Sequence, residues 1–179
     1  MTTLTLELNA KLQPMHRIKI FENKLEKALE EADVGEVVGG GTLLANTGEA
    51  KYCDIELDVK EDCKDMVVRL IQQMKLIPKG SKIICEETII QVGQVEGLAI
   101  YLNGEDLPNE VYETNDINDL ISCLHNAMNE KGIMYSWWEG TTETALYFYG
   151  ASFNEMNNLI KNIVDTHPLC KMCRIEQIA

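Results

Sequence analysis

The chain has 179 residues, 45% of them hydrophobic, with 16 Lys and Arg against 29 Asp and Glu, a formal charge of −13. That composition can build a core and excludes a disordered chain. Its sign excludes nucleic acid, whose phosphates need a basic footprint, and an anionic membrane surface.

Leu4, Leu6 and Leu8 alternate with Thr3, Thr5 and Glu7, the period of two of a strand with one buried face. This alternation, with Glu7 inside it, is not the apolar run of a signal peptide. No later stretch approaches the roughly 18 apolar residues of a membrane span. Ile18, Phe21, Leu25, Ala28, Leu29 and Ala32 then recur at helical spacing, predicting a helix over 16–32.

A strand is predicted over 35–44, through Gly39, Gly40 and Gly41. Three glycines invite a phosphate-loop reading. That reading fails because the next element is a strand and no Lys-Ser or Lys-Thr follows. Within a strand such glycines mark a bulge, a bend or the close approach of a neighbour. After the turn residues ANTGEA, Cys53, Ile55, Leu57 and Val59 alternate with Asp54, Glu56 and Asp58 in a second strand of this pair. A helix over 62–77 follows, striped by Cys63, Met66, Val67, Leu70, Ile71 and Met74 and stopped by Pro78 and Gly80. SKIICEE is the next strand.

The order strand, helix, strand, strand, helix, strand then repeats. QVEGLAIYLN is a strand; a helix over 115–131 has Gly132 as its predicted cap. IMYSWWEG and ETALYFYGA form a strand pair, and a helix opens at Ser152 with Glu155 completing a capping box. His167-Pro168 stops it, and CKMCRIEQI is the last strand. The predicted fold is therefore α+β: two tandem βαββαβ, ferredoxin-like units at 1–88 and 89–179, each an antiparallel sheet with two helices. The two could merge into one integrated domain, and 85–97 are the join.

Helices covering one side of each sheet leave the other side for solvent, the twin unit or a partner. The first half carries Asp54, Glu56 and Asp58 there. In the second half Tyr135 and Trp137 share one face of their strand, and Tyr147 and Tyr149 one face of the next. Residues 1–90 have a net charge of −4 and residues 91–179 of −9, so the aromatic half is the more acidic. Aromatics ringed by charge suit a binding surface. These seven residues are the candidate partner-binding set.

Chemistry is harder to find. His167, Cys170 and Cys173 have metal-ligand residue types, but no fourth ligand pair accompanies them, and in a strand the two sulfurs would point to opposite faces. His16, His125 and His167 stand in no nucleophile motif. The carboxylates at 54–62 lack the calcium-loop pattern. No catalytic, metal or cofactor residue is assigned. The six cysteines (Cys53, Cys63, Cys85, Cys123, Cys170, Cys173) are read as free thiols in a reducing cytoplasm.

EVVGGGTLL, GEAKYCDIEL, QVEGLAIYLNG and ETALYFYG resemble stretches of small acidic bacterial immunity-type proteins, which neutralise toxins. The resemblance implies a stoichiometric, non-catalytic inhibitor in the cytoplasm, covering the active site of a basic partner such as a toxin nuclease. Two alternatives accompany it: an ACT-like regulatory domain binding a small molecule, and an enzyme with an active site between the repeats. A homo-oligomer is compatible with each.

Overall fold

In the computed structural model, which describes residues 1–179, contacts divide the chain into Met1–Val95 (with Ala179) and Glu96–Ile178. The first unit opens with β1 (Thr2–Leu8), whose Leu4, Leu6 and Leu8 are fully buried. Each such side chain contributes roughly 1.5–3 kcal/mol by leaving water. The predicted first helix is three pieces: α1 (Pro14–Arg17), a π-helical turn (Ile18–Glu22) and α2 (Asn23–Glu31). The wide turn adds a residue to the helical period, so Ile18, expected on the buried stripe, is 40% exposed, whereas Phe21, Leu25 and Leu29 are buried.

Strands β2 (Gly35–Leu44) and β3 (Ala50–Val59) form a hairpin. A 3₁₀ turn (Glu61–Cys63) leads into α3 (Lys64–Gln73), which buries Val67, Val68 and Ile71 but exposes Met66, another expected core residue. Strands β4 (Ser81–Cys85) and β5 (Thr88–Val92) form a second hairpin. The sheet order is β2-β3-β1-β4-β5. The unit boundary lies at 95/96 rather than 88/89, because β5 hydrogen-bonds to β4 and Pro78 bridges Val95.

The second unit contains β6 (Glu96–Asn103), α4 (Asn109–Thr114), α5 (Ile117–Met128), β7 (Gly132–Glu139), β8 (Glu143–Gly150), α6 (Phe153–Thr166), a 3₁₀ turn (Pro168–Cys170) and β9 (Arg174–Gln177). Its sheet runs β7-β8-β6-β9. Both sheets pair their strands antiparallel throughout. Each has the strand order of a split βαβ, so the tandem ferredoxin-like α+β arrangement is the observed fold, with β5 added to the first sheet.

Leu98, Ile100, Leu102, Leu146 and Phe148 pack with Leu120, Leu124 and Met128 of α5 and Met156 and Ile160 of α6 in one core. Ser152 caps α6 by accepting the Glu155 N–H at 3.3 Å, and Asp116 caps α5 by accepting that of Asn118 at 2.8 Å. Asn129, left-handed at φ 42°, ends α5 in place of the predicted Gly132. Gly132 instead starts β7 where a Cβ would meet the sulfurs of Met128 and Met156. No helix is long and apolar enough to cross a membrane.

Candidate binding surfaces

The face of the first sheet away from the buried leucines is set by strand register. Glu36, Asp58 and Thr3 lie in one cross-strand row. Gly39, Glu56, Thr5, Ile84 and Ile89 form the next, and Gly41, Asp54, Glu7 and Lys82 the third. Glu36 and Glu56 are exposed; Glu7, Asp54 and Asp58 are half-buried. Asp54, Glu56 and Asp58 thus stand together on an open face, as their alternation predicts, joined by Glu7 and Glu36.

Several of these carboxylates are held. Thr3 Oγ1 donates to Asp58 Oδ1 at 2.7 Å, and the Gly41 N–H donates to Asp54 Oδ1 at 2.6 Å. Lys82 pairs with Glu7 at 3.0 Å and is the cation set in this face beside five carboxylates. At its far side Ile84 pairs across the strands with Ile89, which is 58% exposed, so the acidic field borders an apolar patch.

The glycines are explained on the other side of β2. Gly40 pairs with the buried Ile55 and faces the helix layer. A Cβ there would lie 2.6 Å from the Asp54 carbonyl oxygen, 3.1 Å from Glu22 Oε1 and 3.3 Å from Arg17 Cζ. Arg17 is only 6% exposed; it pairs with Glu22 and donates from Nη1 to Thr42 Oγ1 at 3.0 Å. Bare backbone at Gly40 therefore makes room for a buried guanidinium. Bare backbone at Gly41 lets the Asp54 carboxylate fold over the strand. Val38 is the extra residue of a bulge.

The aromatic candidates of the second unit do not form an exposed surface. Tyr135, Tyr147 and Tyr149 are 3%, 1% and 1% exposed. Tyr135 stacks on Tyr149 with ring centroids 4.5 Å apart, and Tyr147 meets Tyr101 edge-on at 6.3 Å. Burial pushes the Tyr135 hydroxyl pKa upward. Arg174 sits 3.6 Å over the Tyr101 ring and grips Glu143 with two bonds of 3.1 and 2.9 Å, which raises its pKa further. Tyr135 and Trp137, expected on one face, lie on opposite faces. A β-bulge between Met134 and Ser136 inserts one residue and reverses the alternation, placing Trp137 opposite the core residue Leu146.

Trp137, 40% exposed, instead lines a cleft of about 370 Å³ with Ile117, Ile121, Glu139 and Leu146. A larger cleft of about 640 Å³ shares Ile117 and Thr144 with it. Leu102 and Leu169 are among its apolar lining, Asn103, Tyr112 and Asn115 its polar lining, and Glu113, Asp116 and Asp119 its carboxylates. No part of these clefts was legible in the sequence, because α4 lies ahead of the helix predicted over 115–131, in a stretch for which no element is predicted.

No group of three or more His, Cys, Asp or Glu residues is placed to hold a metal ion. His167 Nδ1 accepts the Leu169 N–H at 3.3 Å and so serves the 3₁₀ turn.

No protein-family model and no curated protein matches the chain. Among solved structures it is similar to the first two RRM domains of yeast poly(U)-binding protein, at 13% identity over 99% of both chains, TM-score 0.28. It is also similar to the ligand-free regulatory subunit of aspartate kinase from Thermus thermophilus, at 10% identity over 90% of this chain and 92% of that one, TM-score 0.28. A third likeness is to a protein assigned as a glycine cleavage system transcriptional repressor, at 11% identity over 98% and 95%, TM-score 0.35.

Proposed function

We propose that the protein is a non-catalytic binding module for a basic protein partner, most concretely an immunity or inhibitor protein that neutralises a toxin such as a nuclease. The observation that supports this reading is the open face of the first sheet. Glu7, Glu36, Asp54, Glu56 and Asp58 stand there on a rigid antiparallel scaffold, beside the apolar pair Ile84 and Ile89. A field of one sign steers an oppositely charged partner and raises its association rate, and a neighbouring apolar patch supplies the part of the contact that salt does not screen. The carboxylates are pre-positioned by Thr3 and the Gly41 N–H, which lowers the ordering cost of binding.

The test is affinity purification from the native cell extract at low salt, with captured proteins identified and the stoichiometry measured by native mass spectrometry. The reading expects a stoichiometric basic partner. Recovery of none would sink it.

A second reading, a regulatory domain of the ACT kind, is favoured by the larger cleft of the second unit. Its volume of about 640 Å³ falls in the roughly 300–1,000 Å³ range of small-ligand pockets, with polar groups over an apolar floor. A thermal-shift screen of amino acids and nucleotides tests it. A ligand of that site raises the melting temperature, and a screen in which nothing does so removes the reading.

A further inference from the structure

Cys170 and Cys173, predicted to lie in a strand, occupy a tight turn. The helix α6 ends at Thr166, the 3₁₀ turn ends at Cys170, and β9 starts at Arg174. Lys171 has φ −60° and ψ 133° and Met172 has φ 61°, with the Cys173 N–H donating to the Cys170 carbonyl at 3.1 Å. These are the angles and the closing bond of a type II β-turn, whose third position favours glycine. Here it is a methionine, 68% exposed, so no packing of its own side chain holds the left-handed backbone. Cysteines stand at the first and fourth positions of the turn.

The turn brings the two Cα atoms within about 7 Å, and disulfides span roughly 4.4–6.8 Å. The two thiols are close enough to shift each other's ionisation. They are also unequal. Cys170 is buried in the core of the second unit at 4% exposure, and Cys173 is half-buried at its edge. A hydrogen bond from Cys170 stabilises the Cys173 thiolate and lowers that thiol to about 7; the same bond, with burial, raises Cys170. An accessible thiolate beside a buried partner is the arrangement of an attacking and a resolving cysteine.

We propose that Cys170 and Cys173 form a reversible dithiol–disulfide site that reacts with small-molecule disulfides. The Cys173 thiolate attacks one sulfur of the small disulfide, whose S–S bond breaks. One half leaves as thiolate and takes up a proton, and the other half remains bonded to Cys173. Cys170 then gives up its proton and attacks the Cys173 sulfur, forming the protein disulfide and expelling the second half as a thiol. The protein loses two electrons and two protons, and the small disulfide gains them. The site lies between Leu169, in the wall of the larger cleft, and Arg174, which anchors β9 to Glu143. Oxidation would therefore fix the turn that joins the two.

The test uses the full chain with oxidised glutathione at pH 7, followed by intact-mass measurement and peptide mapping. Loss of two hydrogens, mapped to a Cys170–Cys173 link, is expected. In Cys170→Ser the mixed disulfide accumulates on Cys173. The rate of Cys173 alkylation by iodoacetamide rises with a midpoint near pH 7 in the wild type and moves upward in Cys170→Ala, which has no donor at that position. A thiol lowered from 9 to 7 is about fifty times more ionised at pH 7 but intrinsically less nucleophilic, so Cys173 reacts about five- to tenfold faster in the wild type than in the variant. The wild-type mapping needs no variant to fold. Absence of the 170–173 link while the exposed Cys123 is modified overturns the proposal, as does an alkylation midpoint unmoved by Cys170→Ala.

Discussion

Three single substitutions in one motif, Gly39→Ala, Gly40→Ala and Gly41→Ala, separate three physical effects. None of the three glycines has a backbone angle that disfavours L side chains, so only space decides. At Gly39 the nearest atom to an added Cβ is Glu56 Oε2 at 3.5 Å, an ordinary contact. The unfolded chain loses freedom there without cost to the fold, which stabilises by about 0.4–1 kcal/mol. At Gly41 the obstacle is Asp54 Oδ1 at 2.7 Å, the end of a side chain that can swing away. The cost is the 2.6 Å bond to the Gly41 N–H, about 1 kcal/mol, offset in part by the same entropy gain. At Gly40 the obstacle is the Asp54 carbonyl oxygen at 2.6 Å, with Glu22 and Arg17 behind it, and backbone must move. Overpacking of this kind costs about 1–3 kcal/mol, and a chain of this length loses about 2–4 °C per kcal/mol. Thermal unfolding followed by circular dichroism should therefore rank Gly39→Ala at or above the wild type, Gly41→Ala slightly below, and Gly40→Ala about 2–12 °C below. A neutral Gly40→Ala, or a Gly39→Ala as damaging as Gly40→Ala, would refute the account of why the glycines are there.

Other outcomes follow from the same geometry. Arg17→Met leaves Glu22 without its partner and Thr42 without its donor, and should cost about 3–5 kcal/mol in a urea titration. Replacing both partners, as Arg17→Met with Glu22→Leu, should recover most of that loss. Ser152→Ala removes the cap of α6 and should cost about 1 kcal/mol in the same assay. Burial pushes the Cys53 thiol up to about 12, above its ordinary value near 9. The neutral thiol is thus favoured in the fold, so its contribution is full below pH 9 and is lost as pH rises towards 12. Thermal unfolding between those limits should show a steeper alkaline loss in the wild type than in Cys53→Val.

Period-two alternation carried most of what the sequence revealed. Leu4, Leu6 and Leu8 and the run from Cys53 to Val59 assigned both faces of two central strands, so the open acidic face was readable before any coordinates. Glu7 was legible by the same rule. Ile84 and Ile89 were not, because their meeting depends on the β4–β5 hairpin, and the stretch CEETIIQVGQ has no alternation that separates a strand from a linker. Single-residue insertions were the other blind spot. The π-helical turn at Ile18–Glu22 moved Ile18 out of the core, and the bulge after Met134 put Tyr135 and Trp137 on opposite faces. Neither insertion leaves a mark on residue type. The second sheet also buries Ala99 and Tyr101 on one face and Leu98 and Ile100 on the other, so alternation could not distinguish an open face there. The turn at Cys170–Cys173 was hidden because Met172 is not a residue that announces a left-handed backbone.

The central claim is that the carboxylate face of the first sheet holds a basic partner. Its most direct test compares the wild type with the near-isosteric variant Asp54→Asn, Glu56→Gln, Asp58→Asn. The affinity of each for the identified partner would be measured at low salt and at about 0.5 M, where charges are screened within a few ångströms. Three surface pairs at about 0.5 kcal/mol each amount to about tenfold in Kd. The account predicts that the variant, folded as judged by circular dichroism, binds about tenfold more weakly at low salt and that the difference shrinks at high salt. Equal affinity of the two proteins at low salt would contradict it.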